Sequence, residues 1–129
     1  MTPVRVRTVD HVTVAAPSDL EGAVIGWYSD VLGLARLPKP DGTSSTGAWF
    51  RAGDVQLHVT IEAAPSERAG HFGVVVDDFD DAVRHLRAAG SDIDAARTIP
   101  DRRRCYTRDP AGNTIEIMQY DEDAGAQTD

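Results

Sequence analysis

The sequence predicts an α+β protein made of two half-length copies of one strand–helix–strand–strand–strand unit. Two observations carry this. His11 and His71 each open a short apolar run and lie 60 residues apart, while His58 and Glu116 each sit inside a later apolar run and lie 58 apart. Between them, turn residues, an amphipathic stretch and alternating stretches follow in the same order in both halves. A period of this length is the mark of duplicated supersecondary units that pack together.

In the first half, Thr8 to Ala16 reads as a strand. Pro17-Ser18-Asp19-Leu20-Glu21 then supplies a break and a capping box, with Ser18 at the N-cap and Glu21 reaching back to it. The helix that follows presents Leu20, Val24, Trp27 and Val31 at helical spacing. Gly33 is placed to take the left-handed conformation that ends it. Short strands are expected near Ala35–Leu37, Ala48–Arg51 and Val55–Ile61, the last two joined at Ala52-Gly53-Asp54. Pro38–Gly47, rich in Pro, Gly, Ser and Thr, reads as a loop.

The second half repeats the order. A strand at His71–Val76 leads through Asp77-Asp78 to a helix that buries Phe79, Ala82, Val83 and Leu86 and stops at Gly90. A weak strand near Ala95–Ile99 follows, then Arg103–Thr107, the turn Asp109-Pro110-Ala111-Gly112, and a strand from Asn113 to Tyr120. The modules thus span about residues 8–62 and 71–121. Residues 63–70 read as a linker and 122–129 as a mobile acidic tail.

Composition is that of one globular domain. The chain has 129 residues, 41% hydrophobic and 26% charged, enough to bury a core without staples. Thirteen basic against 21 acidic residues give a net charge of −8, which repels nucleic acid and anionic membrane and excludes both as expected partners. No signal peptide or spanning apolar run is visible, so the cytoplasm is the expected location. The lone Cys105 cannot form an internal disulfide and reads as inert packing.

Successive strand residues point to opposite faces. His11, Thr13 and Ala15 therefore share one face of their strand, Gln56, His58 and Thr60 one face of theirs, and Thr114, Glu116 and Met118 one face of the last. The opposite faces are apolar, fit to pack under a helix. If the sheets curl around a common cleft, Thr13, Gln56, Thr60, Thr114 and Met118 line it and the four ligand-type residues converge in it. A single strand histidine is usually an ordinary hydrogen-bonded residue, but a repeat-related set of this kind points to a metal.

The chain resembles the vicinal oxygen chelate superfamily, which includes glyoxalase I, extradiol ring-cleaving dioxygenases and bleomycin-resistance proteins. The resemblance runs from about Val9 to Tyr120. It rests on Asp10-His11-Val12, on Trp27-Tyr28 followed by Val31-Leu32-Gly33-Leu34, on Gly70-His71-Phe72-Gly73, and on Asp109-Pro110-Ala111-Gly112-Asn113-Thr114-Ile115-Glu116. It implies paired βαβββ modules forming a cupped mixed sheet around a central cavity, with a divalent transition metal (Fe, Zn, Ni, Co or Mn) held by His11, His71 and Glu116. His58 matches a fourth position, either ligand or cavity wall; in glyoxalase I it is typically a Glu. Imidazoles and a carboxylate suit such metals, and a two-His, one-carboxylate set leaves positions open for a bidentate substrate.

The resemblance also implies catalytic roles for Glu116, His58 and Tyr106 in an enzyme acting on a small molecule with vicinal oxygens. The reaction is a glyoxalase-like lyase or isomerase step, or extradiol-type ring cleavage. Tyr106 matches the Tyr of the ring-cleaving signature, although the His that normally precedes it is absent from Asp94–Arg104. The Lys and Ser residues that grip phosphonate in fosfomycin-resistance transferases are replaced by Arg102-Arg103-Arg104, a run that reads as solvated. The alternative is a metal-free module that sequesters a drug or natural product in the same cavity. Short chains of this kind resemble homodimers, with the metal site inside one chain or shared between two.

Overall fold

In the computed structural model, residues 3, 5, 7–62 and 71–121 are described; the expected linker 63–70 and acidic tail 122–129 lie outside them. The chain divides into two compact units, Met1–Pro65 and Ser66–Asp129. Each carries one four-stranded mixed sheet and one main helical segment, the α+β architecture the sequence predicts.

In the first unit, β1 (His11–Ala16) pairs parallel with β4 (Val55–Ile61), which pairs antiparallel with β3 (Ala48–Ala52) and through it with β2 (Ala35–Leu37). The sheet order is β1-β4-β3-β2. A single 3-10 turn, Ser18–Leu20, precedes α1 (Glu21–Gly26), which widens into a π-type turn over Trp27–Val31, with Leu32 N–H donating to the Trp27 carbonyl at 3.0 Å. Gly33, at φ 69°, closes the segment as expected.

The capping box is not formed. Pro17 stands at the N-cap without a side-chain cap bond, and the Glu21 carboxylate instead accepts from Gly47 N–H at 2.7 Å. That bond crosses to the end of the Pro38–Gly47 loop and ties it to α1, a tertiary partner that outcompetes the local one. Below α1, Val14, Val24, Tyr28, Phe50, Leu57 and Val59 are buried, with Tyr28 and Phe50 ring centroids 6.2 Å apart. Each large side chain so buried contributes about 1.5–3 kcal/mol.

The second unit repeats the plan. β5 (His71–Val75) pairs parallel with β8 (Thr114–Tyr120), which pairs antiparallel with β7 (Arg102–Arg108) and through it with β6 (Asp94–Ala95), in the order β5-β8-β7-β6. The strand expected over Ala95–Ile99 is therefore only the two residues Asp94–Ala95. Helix α2 (Phe79–Ala88) is capped by Asp78, whose side chain accepts from Asp81 N–H at 3.0 Å. Buried Gln119 fixes its start, accepting from Phe79 N–H at 2.9 Å and donating to the Asp77 carbonyl at 2.7 Å. Phe79, Leu86, Cys105, Ile115 and Ile117 form the buried apolar side.

The parallel pairings share one register. His11 stands opposite Gln56 and Thr13 opposite His58; His71 stands opposite Thr114 and Gly73 opposite Glu116. In each unit the second candidate ligand is thus set two residues beyond the first, on the same face. Among the described residues no helix is long and apolar enough to cross a membrane.

Candidate functional site

On the polar face of the first sheet three rings lie in a stack. His58 is flanked by His11, with centroids 4.2 Å apart and planes inclined by 13°, and by Trp49, with centroids 3.9 Å apart and planes inclined by 3°. Register produces this: Trp49, His58 and Thr13 stand opposite one another on β3, β4 and β1. The His58 Nε2 bonds to Gln56 Oε1 at 2.9 Å, so the amide oxygen accepts and the imidazole proton sits on Nε2, leaving the Nδ1 lone pair free. Burial, and then the neighbouring His11, lower the His58 pKa below the usual histidine value. His58 is therefore neutral at pH 7.

His11 Nδ1 lies 2.8 Å from Asp10 Oδ2. A carboxylate on one ring nitrogen fixes the tautomer and turns the other nitrogen's lone pair outward, as in carboxylate–histidine–metal triads. His11 and His58 are poorly arranged to share an ion, because the in-plane lone pairs of face-stacked rings do not converge. Its two stacked neighbours hold the His58 ring face-on between them.

On the corresponding face of the second sheet, His71 Nε2 lies 3.0 Å from Glu116 Oε1. The other carboxylate oxygen, Oε2, accepts from Arg104 Nη1 at 3.1 Å, and the same Nη1 donates to the Tyr106 hydroxyl at 3.1 Å. The Tyr106 ring meets His71 edge-on at 5.2 Å. Arg104, Tyr106 and Glu116 share one face because β7 and β8 pair Tyr106 with Glu116 and Arg104 with Met118. The turn behind them is built by buried Asp109, whose carboxylate accepts from the backbone of Ala111 and Asn113 at 2.9 Å each and from Asn113 Nδ2 at 2.8 Å.

Desolvation raises the Glu116 pKa, but hydrogen bonds from Arg104 and His71 outweigh it and leave the carboxyl below its ordinary value. Arg104 is raised by its bonds to Tyr106 and Glu116. Both side chains of the ion pair are 11% exposed, which removes Arg104 from the solvated run expected of Arg102–Arg104. That run lies on β7 and splits by alternation: Arg103 turns to the other face, to Asp80 at 2.7 Å, and Arg102 covers the Tyr120 ring.

Among the described residues the donors stand in pairs, not in a group of three or more able to hold a metal ion. Their chemistry fits a divalent transition metal. Two ligand atoms each about 2.0–2.2 Å from a metal and meeting it at right angles are about 3 Å apart, which is the His71–Glu116 separation. Of the residues expected to line a cavity, Thr13 and Thr60 are exposed, Gln56 is committed to His58, and Thr114 and Met118 flank Glu116 on its own face. Phe50 is core, and His85 is exposed on α2.

Trp49 against His58, Asp10 on His11 and Arg104 on Glu116 were not assigned these contacts by sequence reasoning. Arg104 carried a readable signal, since counting back from the Asp109–Asn113 turn puts it on the Tyr106 side of its strand.

The family profile described as Glyoxalase/Bleomycin resistance protein/Dioxygenase superfamily matches residues 8–117. Among solved structures, the chain is similar to a Bacillus anthracis protein described as of the glyoxalase family, with 31% identity, 92% of this chain and 99% of that chain covered, and a TM-score of 0.83. It is also similar to lactoylglutathione lyase from Agrobacterium tumefaciens, with 22% identity, 87% and 92% covered, and a TM-score of 0.67. A third likeness is to TnmS3, an antibiotic-binding protein from a Streptomyces species, with 20% identity, 92% and 99% covered, and a TM-score of 0.71. Of the curated proteins, none matches the sequence.

Proposed function

The chain belongs to the glyoxalase/bleomycin resistance protein/dioxygenase superfamily, and from that premise we propose that it is a divalent-metal-dependent enzyme moving a proton on a small molecule with two adjacent oxygens. His11, His71 and Glu116 would hold the metal. The observation that carries this is the 3.0 Å approach of His71 Nε2 to Glu116 Oε1, two donors of the right kind at the spacing of adjacent ligands. A divalent metal, when bound, supplies Lewis-acid stabilisation of negative charge on a substrate oxygen.

The remaining chemistry belongs to the chain's own residues. Glu116 is kept ionised by Arg104 and His71, as a ligand must be. Tyr106 accepts from Arg104 and so has its hydroxyl proton left to donate to a substrate oxygen. His58, neutral and wedged between two rings, offers Nδ1 as the proton acceptor. A glyoxalase-like lyase or isomerase step uses this set; extradiol cleavage lacks the extra histidine of its signature. We place the protein in the cytoplasm as a homodimer, with His11 of one subunit and His71 and Glu116 of the other at a shared ion.

A second reading is favoured by one observation. The Glu116 carboxylate is already satisfied by His71 and Arg104, as a metal-free module that sequesters a drug or natural product requires. Elemental analysis of untagged protein, wild type beside Glu116→Gln, tests both. About one transition metal per site, lost in the variant, supports the enzyme. Protein that stays metal-free after reconstitution supports the sequestering module.

A further inference from the structure

We propose that Arg104 is a positioning residue that makes Glu116 a one-oxygen metal ligand and holds down the site's affinity for a divalent cation; this rests on the metal site proposed above. The guanidinium is fixed from several directions. Nη1 serves both Glu116 Oε2 and the Tyr106 hydroxyl, Nε donates to the Arg97 carbonyl at 3.1 Å, and the guanidinium carbon lies 5.5 Å from the Tyr106 ring centre. Oε2 is held by the fixed guanidinium, whereas Oε1 meets only His71, whose Nε2 proton an ion would replace; Oε1 is therefore the oxygen open to an ion. A carboxylate that ligates through one oxygen leaves a coordination position open for a bidentate substrate.

The charge has a separate effect. A partner on a ligand's far side ordinarily strengthens binding by orienting it, but this partner is itself a cation. A guanidinium and a divalent ion sharing one carboxylate repel at about 5–6 Å, and even with water-like screening that repulsion weakens binding about tenfold. Poor exposure of both side chains limits the screening further. Repulsion therefore dominates, and the wild-type site binds its metal loosely.

The test is Zn2+ affinity, read by competition with a chelating dye, for wild type, Arg104→Gln, Arg104→Lys and Glu116→Gln, each checked for folding by circular dichroism. Arg104→Gln is expected to bind about tenfold more tightly than wild type or more, whereas Arg104→Lys keeps the charge and stays close to wild type. Equal or weaker binding by Arg104→Gln, with wild type still above Glu116→Gln, overturns the role of Arg104 alone. Binding by all four at the level of Glu116→Gln overturns the metal site and this inference with it. A second measurement needs no Arg104 variant. In the infrared difference spectrum of Zn2+-loaded against metal-free protein, corrected with Glu116→Gln, a wide splitting of the carboxylate stretches is expected for one-oxygen ligation. A narrow, bidentate splitting overturns it.

Discussion

The indole of Trp49 stacks on the imidazole of His58, with ring centroids 3.9 Å apart and planes within 3° of parallel. The contact covers one face of a histidine whose other face is covered by His11. Burial is the main cause of the lowered His58 pKa, so Trp49→Leu should return the imidazole toward its ordinary pKa of about 6.5. An NMR titration of the histidine ring protons in metal-free protein checks this; an unmoved His58 would show that Trp49 does not set it.

The same shift has a sign in stability. The folded state binds the His58 proton less readily than the unfolded chain does. Stability is thus full above the unfolded value of about 6.5 and falls as pH drops below it toward the folded pKa. Glu116 is also depressed, so its contribution holds above about 4.3 and is lost as pH falls on through its folded pKa. Urea midpoints of metal-free wild type should decline in both windows, and His58→Gln should flatten the first. A profile that rises as pH drops through 6.5 would contradict the assignment.

Gly47 joins the Pro38–Gly47 loop to β3 at φ 81°, and a Cβ there would sit 2.2 Å from the Val59 carbonyl oxygen. Gly47→Ala must shift β3 against β4 as well as strain its own backbone, at a cost of about 2–4 kcal/mol. Losing the carboxylate that accepts from Gly47 N–H is milder: Glu21→Ala should cost about 1.5–3 kcal/mol. Thermal and denaturant unfolding rank the two, and a Gly47→Ala protein as stable as wild type would refute the close approach.

Mixing His11→Ala and Glu116→Ala subunits tests the proposed homodimer. With His11 drawn from one subunit and His71 and Glu116 from the other, a verified heterodimer contains one damaged site and one intact site, so roughly half of the wild-type metal capacity returns. Capacity no greater than that of the parent variants would assign the donors to a single chain.

Much of the scaffold was legible because a period of two in hydrophobicity fixes which way a strand faces. The apolar sides of β4 and β8, and the placement of His58 and Glu116 on the polar sides, follow from alternation alone. Helix α2 was legible from the other period, 3.6 residues, with its acidic start and apolar stripe. The beginning of α1 was not. Ser18 and Glu21 have capping-box spacing, but Gly47 N–H is a stronger claimant for the carboxylate, and it comes from 26 residues away. Side-chain partners were the least legible part. Arg104 has the composition of a solvated residue, and only strand pairing reveals a carboxylate within its reach.

The shared register lets the two halves be aligned residue by residue: Trp49 answers to Tyr106, His58 to Glu116, Thr13 to Gly73, and Gly47, one place before β3, answers to Arg104. The Gly47 backbone, pressed against Val59, admits no side chain, so an arginine has a place in only one of the two halves. The two halves, alike in strand order and register, are thus not interchangeable: one carries an aromatic stack and the other an ion pair, and neither can be swapped for the other without erasing that division.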